Sequence, residues 1–248
     1  MKRFLVTTAA MLCLSTPVAA LDITAMTDTE RQQFRQEIRA YLLENPEVLM
    51  EAIAVLEQRQ QQAQTADDST LIATNAQALF EDQNSYLGGN PDGDVTVVEF
   101  LDYKCGFCKR AHPEVTELVN SDGNIRYIVK ELPILGDQSV LASRFAISTL
   151  QNAGPEAYAK VHDALMEFRG EISQSSLKRL AKSLGLGAGQ IMKAMDSDDV
   201  SAVISENRAL AQRMQISGTP SFVMGAQILR GYVPLDGMKE IVAISRQK

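Results

Sequence analysis

The chain alternates between two kinds of apolar pattern, and their order predicts its architecture. Between residues 27 and 80 the apolar positions are sparse and helically spaced. Thr27-Asp28-Thr29-Glu30 has the form of a reciprocal helix cap, and Phe34, Ile38, Tyr41 and Leu42 follow on one stripe. Asn45-Pro46 stops that helix and starts another with Leu49, Ile53 and Leu56. The Gln-rich run EQRQQQAQTADD over 57–68 predicts a polar interruption, with a further helix over about 69–80. These stripes suit either surface helices docked on a larger domain or a stalk that buries them against copies of itself.

Beyond a turn-rich stretch, NSYLGGNPDGD over 84–94, the pattern changes. Val95 to Leu101 is almost continuously apolar, which predicts a strand buried on both faces. A helix should run from about Cys105 to Asn120, with a kink at Pro113, and a second strand over 125–132. Strand, crossover helix and strand form a βαβ unit with parallel pairing. Residues 137–215 read as helix throughout, followed by a hairpin over 221–230 and a closing helix from Leu235 to Arg246. The expected fold is α/β, a mixed sheet interrupted by a helical insertion.

The first 20 residues change the picture of compartment. Lys2 and Arg3 precede an apolar stretch from Phe4 to Leu14, and small residues end at Val18-Ala19-Ala20. That order predicts a signal peptide cleaved after Ala20 and an exported protein with no membrane span. The formal charge is −7, and loss of Lys2 and Arg3 makes it more acidic. Such a balance excludes an electrostatic footprint for nucleic acid or anionic lipid. Cleavage also removes Cys13, leaving Cys105 and Cys108 as the remaining cysteines.

Cys105-Gly106-Phe107-Cys108 lies at the start of the crossover helix. There, unpaired backbone N–H groups and the helix dipole favour a thiolate at the first position, and the second thiol, one turn on, can close a short disulfide onto it. Redox exchange is the favoured chemistry, beside metal binding and an inert pair. A structural zinc site would need four ligands, and only His112 and His162 could join the thiols, so His112 reads as a packing residue before a ligand. Two thiolates suit Cu(I) by softness. Glu99 is the one acid in its strand: buried, it could take the Cys108 proton; at a strand edge it would face water. Thr219-Pro220 precedes the hairpin and is either an ordinary trans turn or a cis peptide beside the thiols.

The segments EFLDYKCGFCKRAHP, IVKELPILG and ISGTPSFVMG together resemble the DsbA-like thioredoxin-fold thiol–disulfide oxidoreductases. The resemblance covers about residues 84–248. It implies Cys105 as nucleophile, Cys108 as resolving thiol, Glu99 as buried acid, and Thr219-Pro220 as a cis-proline loop that, with Gly106 and Phe107, meets the client. The segment FRQEIRAYLLENPEVLMEAIAVLEQ is similar to the oligomerisation region of the suppressor-of-copper-sensitivity C (ScsC) proteins. The implied organisation is a signal peptide over 1–20, a helical oligomerisation region over 21–83, and a DsbA-like thioredoxin domain over 84–248.

The implied activity is that of a periplasmic protein-disulfide isomerase or reductase with no cofactor beyond its own Cys105–Cys108 disulfide. Gly106-Phe107 replaces the Pro-His pair of strongly oxidising relatives, which implies a less oxidising couple. Its partners would be unfolded or mis-oxidised exported proteins, a membrane thiol–disulfide reductase of the DsbD/ScsB type, and copies of itself, a trimer being favoured. The alternatives are a dithiol oxidase of the DsbA type, a copper-tolerance protein binding Cu(I) at Cys105 and Cys108, and a client-holding oligomer.

Overall fold

The computed structural model describes residues 25–247; the expected leader and its cleavage point after Ala20 lie outside them. The chain divides into two compact units, one ending at Arg59 and the other beginning at Gln60.

In the first unit, α1 (Asp28–Glu44) starts at Thr27 with the expected reciprocal cap. The Thr27 side chain accepts from the Glu30 N–H at 3.3 Å, and the Glu30 carboxylate accepts from the Thr27 N–H at 2.8 Å. Asn45 closes the helix by donating its N–H to the Tyr41 carbonyl. Phe34, Ile38 and Tyr41 on α1 stay exposed, as do Leu49, Ile53 and Leu56 on α2 (Glu47–Thr74). The Gln-rich run does not interrupt α2, which continues through it. Gln, Glu, Arg and Ala are good helix formers, and no Gly or Pro stands between Glu47 and Thr74.

The boundary expected before Asn84 falls earlier because residues after Gln60 carry core contacts of the second unit. Ile72 and Leu79, the latter on α3 (Ala76–Phe80), are buried with Val98 and Phe100. Asp68 accepts from the Ile228 N–H at 3.2 Å and pairs with Arg230 at 3.0 Å.

The sheet of this unit contains β1 (Tyr86–Gly89), β2 (Val95–Leu101), β3 (Ile125–Glu131), β4 (Ser221–Met224) and β5 (Gln227–Arg230), in the order β1-β3-β2-β4-β5. β2 and β3 are parallel, joined by α4 (Gly106–Asp122), which continues through Pro113; the other pairings are antiparallel. β1 stands where the sequence predicts only a turn. Gly88-Gly89 suits a turn, yet at Gly89, with φ +66°, a side chain would collide with the Ile125 carbonyl. That glycine lets β1 pair closely with β3. The insertion comprises α5 (Asp137–Ala153), α6 (Pro155–Glu167), α7 (Gln174–Ser183), α8 (Ala188–Ala194) and α9 (Asp198–Arg213); α10 (Leu235–Ser245) ends the fold.

The two-residue period of β2 divides the core. Val98 and Phe100 join the cluster containing Ile72, Leu79, Leu210 and Met214. Val97 and Leu101 join the other, with Cys105, Cys108 and Ala111 of the α4 region. Each such fully buried side chain contributes roughly 1.5–3 kcal/mol relative to exposure. Glu99 lies between Val97 and Leu101, so alternation directs it to the α4 side of the sheet.

Candidate active site

The end of β2 delivers the chain into α4 through Asp102, Tyr103 and Lys104. Asp102, fully buried, organises this crossing: one carboxylate oxygen accepts from the Lys104 N–H at 2.8 Å, and the other from the Ile134 and Leu135 N–H groups at 2.8 and 3.0 Å. Its carbonyl accepts from the Cys105 N–H at 3.0 Å. One carboxylate therefore fixes the approach to the first thiol and ties it to the loop after β3. Asp102→Ala is expected to lower stability by about 2 kcal/mol, the cost of leaving such donors unmatched. Urea denaturation would measure it, and an unchanged midpoint would contradict this role.

Cys105 is the N-cap of α4, with extended backbone (φ −74°, ψ 119°), and Cys108 lies in the first turn. Both are free thiols, Cys105 7% exposed and Cys108 fully buried, so of the two residues only the first reaches solvent. The Cys105 Sγ lies 3.1 Å from the Thr219 carbonyl, to which it donates. Thr219–Pro220 is a cis peptide, and the Ser221 hydroxyl donates to the Gly218 carbonyl at 2.8 Å. Residues more than a hundred positions apart thus meet at one thiol. Phe107, between the two cysteines, is 60% exposed, and Ile134 and Leu135, whose N–H groups meet Asp102, are also exposed.

Glu99 is on a central strand, paired with Val129 on one side and Phe222 on the other, and only 1% exposed. The water-facing reading therefore fails. The Tyr127 hydroxyl donates to one of its carboxylate oxygens, and the other, Oε1, has no partner. Burial pushes its pKa up to about 7, against the opposing pull of Tyr127 and of His112. The Cys108 thiol is pushed well up, first by burial and then by the Glu99 charge. The two groups thus disfavour simultaneous ionisation, the electrostatic condition for passing a proton between them.

A second polar network lies nearby. Glu131, at the end of β3, accepts from Tyr103, Tyr158 and Ser143 at 2.8, 2.6 and 2.7 Å. Burial raises its pKa to about 7 although all three hydroxyls oppose the shift. The Tyr103 oxygen also lies 3.0 Å from Nδ1 of His162, whose pKa burial lowers to about 3. His112 does not join the cysteines; its Nε2 faces Asp163 at 3.2 Å. Lys109 reaches the C-terminal end of α6, donating to the Phe168 carbonyl at 2.5 Å, and so holds the insertion against α4. None of Asp102, Tyr103, Tyr127, Glu131 or Asp163 stands out by spacing; the polar Asp102 directly after an apolar strand is the one local signal.

A CxxC helix start facing a cis-proline loop, on a mixed sheet with a helical insertion, defines a thioredoxin-fold protein of the DsbA-like class. The thioredoxin family model matches residues 81–243, and the model of the copper resistance protein ScsC N-terminal domain matches residues 30–63. The chain belongs to the thioredoxin family, as a DsbA-like member resembling ScsC.

A thioredoxin-like oxidoreductase from Silicibacter pomeroyi is 40% identical, with a TM-score of 0.65 covering 69% of this chain and 98% of that one. A linker-deletion mutant of Proteus mirabilis ScsC is 27% identical, with a TM-score of 0.68 covering 91% of this chain and 99% of that one. Disulfide bond formation protein D of Bacillus subtilis is 26% identical over 164 residues, 62% of this chain and 73% of that protein. The chain also matches Na(+)/H(+) antiporters of Salinispora species, and spans only 24% of their length.

Proposed function

We propose that this chain is a protein thiol–disulfide oxidoreductase that isomerises or reduces disulfides of exported proteins, using Cys105 and Cys108. The observation carrying this reading is the Cys105 thiol at the start of α4 against the Thr219 carbonyl of the cis-proline loop, with a fully buried Cys108 and a buried Glu99 on the same side of the sheet. The Cys105 thiolate attacks a client disulfide; that S–S bond breaks, a mixed disulfide forms, and one client thiolate leaves and takes up a proton. A second client thiol then displaces Cys105, giving isomerisation with no net electron transfer. Otherwise Cys108 gives its proton to Glu99 and attacks the Cys105 sulfur, releasing a client reduced by two electrons. That second route leaves a Cys105–Cys108 disulfide, which a dithiol donor of the DsbD/ScsB type must reduce.

The expected 1–20 leader supports export to the periplasm, and among the described residues no helix is long and apolar enough to cross a membrane. The Thr219–Pro220 loop, Gly106 and Phe107 are assigned to client contact. Recovery of activity from a scrambled-disulfide substrate tests the reading. Rapid oxidation of reduced peptides, with recovery no faster than with free dithiol, would instead indicate an oxidase.

The exposed apolar positions on α1 and α2 support assembly into a homo-oligomer, a trimer being favoured by the likeness to ScsC. Paired Ile38→Glu and Ile53→Glu substitutions change exposed positions on these helices. They are expected to reduce the mass in light scattering to one subunit and to lower isomerisation while reduction of a small peptide disulfide persists. An unchanged mass would remove α1 and α2 from the assembly interface.

A further inference from the structure

We propose that this chain holds a divalent transition cation of the zinc type between α4 and α6, bound by His112, His162 and Asp163. One ligand atom from each of these three side chains lies within 4.8 Å of the others. Among the described residues, no other group of three or more His, Cys, Asp or Glu side chains meets that condition. The cysteines are not part of it.

The shortest separation already suits a shared ion. His112 Nε2 and Asp163 Oδ1 are 3.2 Å apart. Adjacent ligands of a tetrahedral zinc site with bonds of 2.0–2.1 Å are about 3.3 Å apart. Without a cation, the same spacing serves an ordinary hydrogen bond, which accounts for His112 and Asp163 but not for the Nε2 of His162.

His162 supplies the independent observation. It is 4% exposed, lines the cavity shared with His112 and Asp163, and has no hydrogen-bond partner for Nε2 among the described residues. Its other nitrogen, Nδ1, lies 3.0 Å from the Tyr103 oxygen. When the Tyr103 hydroxyl gives its one proton to ionised Glu131 at Oε1, 2.8 Å away, that oxygen accepts from the His162 Nδ1–H. Nε2 is then left with a bare lone pair. A carboxylate fixing an imidazole through its far nitrogen is the usual support of a metal-binding histidine, here relayed by one phenol.

The cavity itself, about 220 Å³, has room for water to complete the coordination. Asp163 is largely exposed and offers a way in. Two imidazoles and a carboxylate, with no thiolate, select a borderline divalent ion over Cu(I). Bound there, the ion would cross-link the helix carrying Cys105 to the helical insertion.

The test uses the untagged mature chain with Cys105→Ser and Cys108→Ser, so that thiols cannot take the metal. Titration with Zn²⁺ against a chromophoric chelator is expected to show one equivalent bound, and ¹⁵N spectra a shift at the His162 Nε2. Asp163→Asn and His162→Gln, each added to that background, should weaken binding at least about tenfold. Circular dichroism checks folding; if the buried His162 variant fails it, Asp163→Asn and His112→Gln decide the matter. Absence of stoichiometric binding, or equal affinity in the Asp163 and His112 variants, would overturn the site.

Discussion

Cys105→Ser is expected to abolish exchange with client disulfides, while Cys108→Ser accumulates mixed disulfides with them. The asymmetry follows from burial and position. Cys105 ends the loop held by Asp102, and its sulfur points to the Thr219 carbonyl at 3.1 Å, where an extended client backbone can run alongside. Cys108 has no exposed surface, so a client disulfide cannot reach it before Cys105 has reacted. Its thiol is also held protonated by burial and by the neighbouring Glu99 charge. A protonated, enclosed thiol is a poor first nucleophile, yet it is well placed to resolve a bond formed at Cys105. Incubation with a disulfide-containing peptide, followed by non-reducing electrophoresis and mass determination, distinguishes the two variants. Adducts on Cys105→Ser but not on Cys108→Ser would reverse the assigned order of attack.

The elements legible in the amino-acid sequence are those whose signal is local. β2 announces itself by an almost continuous apolar run and β3 by Ile125, Tyr127, Ile128 and Val129, and CGFC stands three residues after the first of these strands. Glu99 is conspicuous because one acid in such a run must be either misplaced or functional. The pairing of Cys105 with Thr219 does not follow from spacing, since more than a hundred residues separate them; family resemblance supplies it. β1 is hidden because Gly88-Gly89 permits close strand pairing and a turn equally well. The continuity of α2 is hidden because a polar run resembles a break, although Gln and Ala favour helix. The Tyr103–Glu131–Tyr158–His162 network has no sequence signal at all: it exists only once Tyr158 and His162 of α6 reach Glu131 at the end of β3 and Tyr103 after β2. The same packing gives His112, which its spacing marks as a packing residue, a carboxylate partner from a different helix.

Glu99→Gln is expected to stabilise the fold at neutral and alkaline pH while slowing the Cys108-dependent step. Burial raises the Glu99 pKa from the usual 4.5 to about 7. A group whose folded pKa is raised gives its full support when protonated, below about 4.5, and stability is lost as pH climbs through about 7. Across that interval the shift corresponds to a loss on the order of 3 kcal/mol. Gln carries no such charge. Its amide can still accept from Tyr127, but the NH₂ group then replaces the unpartnered Oε1 and offsets about 1 kcal/mol of the gain. The net stabilisation at pH 8 is therefore about 2 kcal/mol. Glu131, also raised to about 7, remains in the variant, so the decline with pH should become shallower without vanishing. Denaturant titrations at pH 4.5 and 8 read this directly, and parallel curves for the two proteins would show that Glu99 does not titrate as assigned. Catalysis should move the other way. Gln cannot accept the Cys108 proton, so resolution of the Cys105 mixed disulfide should slow on the order of a hundredfold. Stopped-flow measurement of that step across pH 6–8 separates a proton-transfer role from a structural one: loss of the rise near pH 7 supports transfer, and a uniformly slower profile of unchanged shape refutes it.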